Sequence, residues 1–386
     1  MAAQAAAAPP QVVCENLSLH TQTQFRLLVV RLGAMGDILH ALPAVTALRQ
    51  AHPAWRIGWV VEPRWQALLS ASDGSARGPL QPVVDRLHFA QIRDWKQAPL
   101  SRQTFSSVRA LRRELRDCRY DVVIDLQGSI RSAVIARLAG CRRVIGEANP
   151  REYLARFLFN ERVSTTGAHV IQQDVELAAA IAGDKLAPAE PILPADPAAE
   201  SWAEAFLAAD PVTPGLPRTG PGPWGGQPIA LLNPGAGWGA KRWPVERYAA
   251  VAQGLIQRGF RVLINTGPGE LPLAEAISQA TSGAAQPLTA SLQQLIALTR
   301  RISLCIAGDT GPLHLACALR KPVVGIYGPT DPSRNGPFAT RFRVLRHPAS
   351  KRDHSRRAQP EAGLLTIQPA DVLAAADELL AEAKIL

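Results

Sequence analysis

Short apolar runs that alternate with glycine-rich turns and helix-like stretches are the feature that most constrains the fold of this chain. One run covers residues 302–307 and leads into the turn Asp309-Thr-Gly-Pro-Leu-His314. Such runs are typical of parallel strands buried on both faces. Because the alternation occurs in both halves of the 386 residues, it predicts an α/β fold with two doubly wound units. A hydrophobic content of 47% is sufficient for two cores.

The turn that follows this run predicts an anion site. Gly311 permits close approach to the backbone, and Pro312 suits a first helical position, where its missing amide hydrogen would be unpaired anyway. The free amides of such a helix start and the positive end of the helix dipole attract a phosphate. Thr310 and His314 add side-chain donors. A second interpretation stays open, in which Asp309 or Thr310 only caps the helix.

Asp37 ends a second glycine-containing turn, Gly33-Ala-Met-Gly-Asp37, after the strand-like run that starts at Phe25. It therefore lies at the carboxyl end of a strand, in the crevice where open α/β sheets bind ligands. A simple helix cap is also compatible with Asp37, so both interpretations stay open. We interpret His40 as a neighbour that shapes the site.

The turn Asn233-Pro-Gly-Ala-Gly-Trp-Gly-Ala-Lys-Arg-Trp-Pro244 combines glycines that can surround an anion with two cations. Lys241 is a flexible charge suited to a leaving phosphate. The spacing also matches a short dinucleotide fingerprint. However, the helix is expected near Pro244, and the next strand ends in Asn265 where a dehydrogenase has an acidic residue, which disfavours a nicotinamide oxidoreductase. Glu270, in a fourth turn, suits a helix cap and a sugar hydroxyl equally.

Six segments share the motifs of one enzyme family and occur in family order between about residues 26 and 338. They are Met35-Gly-Asp-Ile-Leu-His-Ala-Leu-Pro43, Trp59-Val-Val-Glu62, Asp125-Leu-Gln-Gly128, Lys241-Arg-Trp-Pro244, Asp309-Thr-Gly-Pro-Leu-His314 and Tyr327-Gly-Pro-Thr-Asp-Pro332. The chain thus resembles glycosyltransferase family 9, the bacterial ADP-heptose lipopolysaccharide heptosyltransferases. The resemblance implies the GT-B fold, two Rossmann-like domains facing across a cleft. The first and third segments look more like heptosyltransferase I, which adds the first heptose to Kdo, than heptosyltransferase II.

The resemblance implies roles for individual residues. Asp37 matches the general base that deprotonates the acceptor hydroxyl, and Lys241 matches the lysine that supports the pyrophosphate and the sugar. The residues that it places at the donor are Gly235, Lys241, Glu270, Ala290, Asp309, Thr310, Gly311 and His314. Heptosyltransferase I enzymes often have hydroxyl residues before the lysine, whereas this chain has Ala236, Gly237 and Trp238, so we expect backbone amides to replace those hydroxyls.

Acceptor contacts are expected from the first domain. The candidates are Gly36, Arg93, Lys96, Gln127, Arg131 and Arg151. The implied reaction is an inverting transfer of heptose from ADP-heptose to the Kdo-lipid A inner core, with a heptosyltransferase II type of acceptor as the alternative. No metal or other cofactor is expected, because no Asp-x-Asp pair or His cluster occurs in the sequence.

The net charge of +10 is concentrated in two segments. Residues 85–162 hold sixteen Lys or Arg against nine Asp or Glu, and residues 341–357 hold seven against one. One interpretation is a first domain that faces an acidic acceptor at an anionic membrane; the other is a solvated basic surface. We expect the segment 341–357 to strengthen attraction to anionic lipid. An aromatic fraction of 5% without stacking motifs disfavours nucleic acid as a partner.

Composition shifts predict the order of the domains. It is a disordered tail at 1–24, an acceptor-binding domain at 25–186, a Pro/Gly-rich linker at 187–226 with a helix at 198–209, a donor-binding domain at 227–340, a basic segment at 341–368 and a terminal helix at 369–386. In GT-B enzymes such a terminal helix usually crosses back to the first domain.

Localisation is predicted from features that the sequence lacks. The tail has no basic start typical of a signal peptide, and no run of about eighteen apolar residues occurs. The five cysteines show neither paired metal spacing nor an even disulfide framework. We therefore expect a monomer in the reducing cytoplasm, peripheral on the inner membrane.

Overall fold

The computed structural model describes residues 24–71, 82–209, 227–353 and 357–382. These residues form two parallel six-stranded sheets with helices on both faces. The predicted disordered tail, apart from Gln24, lies outside the described residues. The same holds for the end of the predicted linker and the end of the predicted terminal helix.

The first sheet reverses its strand order at the centre, as doubly wound sheets do. Its strands are β1 (Arg26–Val30), β2 (Arg56–Val61), β3 (Arg86–Phe89), β4 (Val122–Asp125), β5 (Arg143–Glu147) and β6 (Glu161–Val163). They are arranged in the order β3-β2-β1-β4-β5-β6. The crevice at the carboxyl ends of β1 and β4 is where such sheets bind ligands. The register places Val30 opposite Asp125 at this point.

Helices cover both faces of the first sheet. They are α1 (Met35–Ala51), α2 (Ile92–Gln97), α3 (Arg102–Asp117), α4 (Ile130–Leu138) and α5 (Val170–Ala182), with 3₁₀ helices at Pro63–Leu68 and Tyr153–Leu158. Apolar residues of α1 and α5 pack on one face of the sheet. The other face is covered by α2, α3, α4 and the second 3₁₀ helix, which form the outer layer of this unit.

The second sheet repeats the strand order of the first. Its strands are β7 (Ile229–Asn233), β8 (Arg261–Asn265), β9 (Ala285–Leu288), β10 (Leu304–Gly308), β11 (Val323–Tyr327) and β12 (Phe342–Arg346). They are arranged in the order β12-β11-β10-β7-β8-β9. The reversal therefore falls between β7 and β10, where Asn233 pairs with Ala307.

The second half of the described chain contains more helices than lie within the predicted donor domain at 227–340. They are α6 (Pro197–Ala208), α7 (Val245–Gln257), α8 (Leu271–Ala280), α9 (Leu292–Thr299), α10 (Gly311–Ala318), α11 (Pro332–Asn335) and α12 (Pro369–Glu382), with 3₁₀ helices at Gly239–Lys241 and Leu364–Thr366. The helix expected within the linker is confirmed as α6. It packs on the second unit, where Ala203 meets Ala297 and Glu204 pairs with Arg301 at 3.1 Å.

The basic segment predicted at 341–368 contributes a strand to the second sheet. Strand β12 pairs in parallel with β11 beyond the boundary predicted at residue 340. Its Val344 and Leu345 pack against the apolar clusters on opposite faces of the sheet. Arg343 forms salt bridges with Glu378 and Glu382 of α12. The segment is thus part of the second unit, because alternating apolar residues extend the sheet between the arginines.

The expectation that the terminal helix crosses back to the first domain is wrong for the part of the chain that the structure describes. Val372, Leu379 and Leu380 of α12 are buried in the cluster on one face of the second sheet. Arg258, the residue that follows α7, donates two hydrogen bonds of 2.7 and 2.8 Å to Asp377. Burial of this apolar stripe keeps α12 on the second unit.

The two units pack against each other through helices, chiefly α1 of the first unit and α10 of the second. One apolar cluster contains residues of α1 and α5 together with residues of α9 and α10. The α/β class with two doubly wound units, predicted from the alternating runs, is confirmed. The cleft between the units opens at the carboxyl ends of both sheets, where α1 and α10 begin.

Candidate active site

Asp37 is presented at the start of α1. It is the third residue of the helix and accepts a hydrogen bond from the Ala34 amide at 3.1 Å. The Arg31 guanidinium lies 3.4 Å from its carboxylate, and the Arg31 side chain is 7% exposed against 39% for Asp37. The carboxylate thus lies beside a buried cation and at the positive end of the helix dipole. Asp37 therefore presents an accessible carboxylate that is held in one orientation by these two contacts.

The turn after β4 is hydrogen-bonded to the loop between β1 and α1, which leads to Asp37. Asp125 accepts hydrogen bonds from the amides of Gln127 and Gly128, both at 2.8 Å. The Gln127 side chain in turn accepts the Leu32 amide at 2.8 Å. The Asp-Leu-Gln-Gly motif thus fixes the loop that carries Asp37. Burial raises the pKa of Asp125 to about 6.

Asp174 of α5 is a buried carboxyl group that the sequence analysis missed. Its side chain is 3% exposed, and its Oδ2 atom has no hydrogen-bond partner. Burial raises its pKa to about 7, the charges of Arg31 and Arg334 lower it, and Asp37 raises it further. This group and Asp125 therefore place two more carboxyls around Arg31. An α5 residue more than a hundred positions from Asp37 carries no local signal of this proximity.

Replacement of Asp174 by Asn is expected to stabilise the protein more at pH 8 than at pH 5. The pKa of Asp174 is raised above its ordinary value of 3.8, so the folded protein binds this proton more tightly than the unfolded chain. Ionisation therefore costs stability as the pH rises from about 4 to about 7, by at most about 4 kcal/mol. The asparagine removes this cost.

Melting temperatures of the wild type and of Asp174→Asn, measured from pH 5 to pH 8, test the prediction. Any constant cost of burying the amide cancels in the comparison between pH values. A difference in melting temperature that does not vary with pH would contradict the assignment.

On the second unit, Lys241 and Asp309 form a buried ion pair. The Lys241 Nζ atom lies 2.6 Å from Asp309 Oδ2 and 3.3 Å from the Asp309 carbonyl oxygen. It also lies 4.8 Å above the ring of Trp238. Burial opposes ionisation of Asp309, but hydrogen bonds and charge from His314 and Lys241 outweigh it and hold the pKa of Asp309 below its ordinary value. The ammonium keeps one proton for a ligand oxygen.

The start of α10 leaves backbone amides without a side-chain cap. Thr310 is the N-cap residue, but its hydroxyl donates to the Gly308 carbonyl at 3.2 Å and caps no amide of the helix. Pro312 is the second residue of α10, one position after the first helical position that the sequence predicted. The interpretation of Thr310 as a simple side-chain cap of this helix is therefore wrong. Free amides beside an ammonium form an anion site.

A pair of buried asparagines organises the glycine-rich loop. Asn233 donates to the Gly235 carbonyl at 3.0 Å and to the Thr310 hydroxyl at 3.3 Å, while Asn265 donates to Asn233 at 2.7 Å. The sequence analysis used Asn265 only to disfavour a dehydrogenase. Their positions in the sequence could have indicated a role at the cleft, because both asparagines end central strands of the second sheet.

Glu270 lies against the glycine-rich loop. Its carboxylate accepts the Gly267 amide at 2.8 Å and makes no hydrogen bond to an amide of α8, so the capping interpretation is wrong. A Cβ atom on Gly235 would come within 2.0 Å of this carboxylate. Gly235 is therefore needed for the close approach of Glu270 to the loop.

Histidines connect the two units below the cleft. His40 Nε2 and His314 Nδ1 are 3.2 Å apart, and His314 Nε2 lies 3.0 Å from Asp309 Oδ1. His169 Nε2 contacts the Gly336 carbonyl at 3.0 Å. Burial lowers the pKa values of His40 and His169, which favours the neutral rings. The path of contacts from Lys241 through Asp309 and His314 thus ends at His40 on α1.

Two glycines allow the helix starts to meet. A Cβ atom on Gly36 would lie 2.6 Å from the His314 ring, and one on Gly311 would lie 2.6 Å from the Met35 sulfur. Larger residues would force α1 and α10 apart. The close contact brings Asp37 and the anion site to the same cleft.

The predicted site residues fall into two groups. The structure brings together at the cleft Gly36, Asp37, Gln127, Gly235, Lys241, Glu270, Asp309, Thr310, Gly311 and His314. Ala290 follows β9 and is partly buried beside the start of α9. By contrast, four of the predicted acceptor contacts are exposed on the outer layer of the first unit: Arg93, Lys96, Arg131 and Arg151. These four side chains make no hydrogen bond or ion pair with a described residue.

Comparison with known proteins decides the family. The sequence profile of glycosyltransferase family 9 (heptosyltransferase) matches residues 108–364, which is more than half of the chain. The chain belongs to glycosyltransferase family 9. It is thus a glycosyltransferase, and its paired sheets are those of the GT-B fold.

Curated relatives and solved structures agree with this family. Lipopolysaccharide heptosyltransferase 1 of Escherichia coli O18:K1:H7 is 29% identical over 332 residues, covering 84% of this chain and 93% of the relative. Lipopolysaccharide heptosyltransferase 1 of Pseudomonas aeruginosa is 28% identical over 318 residues, covering 81% of each chain. The structure of E. coli heptosyltransferase WaaC with ADP has a TM-score of 0.72 and 26% identity, covering 92% of this chain and 100% of the solved chain.

Other features of the described residues bear on cofactors and on the membrane. No group of three side chains in the described ranges has the arrangement of a metal site. None of the described helices is both long enough and apolar enough to cross a bilayer. Four cysteines are free thiols, and Cys14 lies outside the described residues.

Proposed function

We propose that this glycosyltransferase moves heptose from ADP-heptose to Kdo of a lipid A inner core, with Asp37 as the general base. One observation carries the proposal: the start of α1, which carries Asp37, packs against the start of α10, with Gly36 close to the His314 ring and Gly311 close to the Met35 sulfur. The names of the relatives, heptosyltransferases of lipopolysaccharide, support the donor and the acceptor class. The solved relative with bound ADP supports a nucleotide site.

The donor pyrophosphate is proposed to lie between Lys241 and the start of α10. The remaining ammonium proton and the uncapped amides after Thr310 match the oxygens of a phosphate group. Glu270, held beside Gly235, is proposed to accept hydrogen bonds from ribose hydroxyls, and Ala290 is proposed to border the adenine. Asp309 is proposed to hold Lys241 and His314 in position.

The acceptor hydroxyl is proposed to approach from the first unit. Its oxygen forms the new bond to the anomeric carbon while its proton passes to the Asp37 carboxylate. The bond from that carbon to the phosphate oxygen breaks on the opposite side, and the electron pair leaves with ADP, which inverts the configuration. Lys241 and the helix amides stabilise the departing charge. Gly36 and Gln127 border this side of the cleft, with Arg93, Lys96, Arg131 and Arg151 proposed to attract the acidic acceptor.

Turnover is expected to be unchanged when divalent metal is removed with EDTA. In this mechanism Lys241 and the amides of α10 supply the positive charge that a metal ion provides in other transferases. Steady-state rates with EDTA and with added Mg²⁺ check the prediction. A rate that falls with EDTA and recovers with Mg²⁺ would contradict it.

The decisive experiment measures release of ADP from ADP-heptose with a panel of core acceptors. Turnover with an acceptor that ends in Kdo supports heptosyltransferase I activity. Turnover only with an acceptor that already carries heptose would assign the second type. The anomeric configuration of the product, determined by NMR, tests inversion, and a lack of NAD binding would remove the oxidoreductase alternative.

We further propose that the enzyme acts in the cytoplasm as a monomer that is peripheral to the inner membrane. The lipid anchor of the proposed acceptor supports this location, since transfer requires the cleft to reach the membrane surface. Size-exclusion chromatography with light scattering tests the monomer, and cell fractionation tests the location.

A further inference from the structure

Exposed apolar side chains are concentrated on one side of the first unit. Among the described residues, eleven large apolar side chains are exposed, and seven of these belong to a single stretch of the chain. The seven, which we call the outer apolar face, are Leu100, Phe105, Ile130, Val134, Tyr153, Leu154 and Phe157. Large apolar residues grouped in this way mark interaction surfaces in soluble proteins.

The outer apolar face belongs to the outer layer of the first unit. It includes residues from the turn before α3, from α3 and α4, and from the 3₁₀ helix Tyr153–Leu158. The Ile130 amide at the start of α4 donates a hydrogen bond of 2.8 Å to Glu152, the residue before this 3₁₀ helix. These elements pack on the face of the first sheet opposite to α1 and α5. Contacts with the second unit come from α1 and His169 on the other side. The second unit, as far as the structure describes it, thus leaves this face exposed.

Cations surround these apolar side chains without being neutralised. Exposed residues of the same layer that form no ion pair with a described residue are Arg93, Lys96, Arg102, Arg109, Arg112, Arg113, Arg131 and Arg151. The basic segment 341–357 is different. There Arg343 pairs with Glu378 and Glu382, and Arg346 donates to the carbonyl oxygens of Gly328 and Ser350. Free cations beside exposed apolar groups match an anionic bilayer, which offers headgroup charge above an apolar interior.

The outer apolar face is connected to the acceptor side of the cleft. The Glu152 amide donates to the Gly128 carbonyl at 2.9 Å, immediately before the 3₁₀ helix. Gly128 belongs to the turn whose Gln127 holds the Asp37 loop through Leu32. A short chain of contacts thus leads from this face to Asp37. A surface seated there would place a lipid-anchored acceptor near the general base.

We propose that the outer apolar face, with its free cations, docks this enzyme on an anionic lipid bilayer. The inference rests on the proposed function for its purpose, since a lipid-anchored acceptor explains why the cleft lies beside the face. Leu154 and Phe157 insert among the headgroups, and the cations hold the phosphates. This assigns membrane contact to the first unit rather than to residues 341–357.

The test is sedimentation of the full chain with acceptor-free vesicles. Wild type is compared with the double variant Leu154→Ser/Phe157→Ser and with the matched control Ile192→Ser/Leu365→Ser, which removes two exposed apolar side chains from other surfaces. Vesicles contain phosphatidylglycerol with phosphatidylethanolamine, or phosphatidylcholine alone. We expect binding to anionic vesicles to fall about tenfold or more in the Leu154/Phe157 variant only, with weak binding of every protein to neutral vesicles.

Several results would overturn the docking surface. They are absence of wild-type binding to anionic vesicles, equal binding by the Leu154/Phe157 variant, and a wild-type dimer that this variant converts to a monomer. The melting temperature and turnover with a deacylated, soluble acceptor are expected to be unchanged in the variant, which separates docking from folding and chemistry. Because the vesicles contain no acceptor, vesicle binding is retained even if ADP-heptose proves not to be the donor. The two proposals therefore fail independently.

Discussion

Replacement of Asp37 by Asn is expected to lower turnover about a hundredfold or more while ADP affinity stays nearly unchanged. The amide cannot accept the proton of the acceptor hydroxyl. Asparagine retains the size of the side chain and one oxygen that can accept the Ala34 amide, which lies 3.1 Å from the Asp37 carboxylate in the wild type. The proposed donor site lies on the other unit, around the Lys241–Asp309 pair. Turnover, ADP affinity by calorimetry and melting temperature are measured on the same preparation.

A matched control separates base chemistry from helix capping. Asp371 occupies the same third position in α12, where its carboxylate accepts the Gln368 amide at 2.8 Å. Asp371→Asn therefore reports the cost of this substitution in a helix start away from the cleft. Retained turnover in Asp37→Asn would refute the base assignment. A drop in melting temperature well beyond that of the control would show that Asp37 has a structural role, since it also partners Arg31.

Replacement of Lys241 by Ala is expected to cost about 2 to 4 kcal/mol across ADP binding and transfer. The ammonium is the cation at the start of α10, and its remaining proton is assigned to the pyrophosphate. It also partners Asp309, whose side chain is only 8% exposed. Part of the loss in Lys241→Ala therefore reflects a buried carboxylate left with His314 alone. Calorimetric titration of ADP and steady-state rates measure both effects.

A double-mutant cycle with Asp309→Asn separates these contributions. In the Asp309→Asn background the lysine no longer has to neutralise a buried charge, so any further loss on Lys241→Ala belongs to the ligand. We expect a further loss of ADP affinity of about tenfold or more, which corresponds to about 1.4 kcal/mol. Equal ADP affinity in Asp309→Asn and in the double variant would reduce Lys241 to a structural partner of Asp309.

Local patterns predicted much of the fold and the positions of the proposed chemistry. Apolar runs mark the central strands β1, β7 and β10, and the glycine-rich turns after them coincide with the cleft. The start of α10 at Gly311 and the start of α7 after Pro244 agree with the sequence, because helix starts are governed by neighbouring residues. Parallel pairing of the strands was implied by the alternation of strand and helix, since parallel strands need crossover connections.

Tertiary structure decided what depends on distant neighbours. Lys241 meets Asp309 across 68 positions, and His40 meets His314 across 274, so no local pattern reports either contact. The pKa of Asp174 depends on the burial that α5 acquires only when it packs on the sheet.

The sequence by itself determined the class of fold, the family motifs and the residue types at the cleft, because strand and helix periodicities and turn chemistry are properties of adjacent residues. Only the tertiary structure decided that β12 completes the second sheet and that α12 stays on the second unit. It also decided that seven of the exposed apolar side chains lie in the outer layer of the first unit. The physical reason is that burial and charge pairing depend on which surfaces meet, and the segments concerned are brought together only by packing around the two cores.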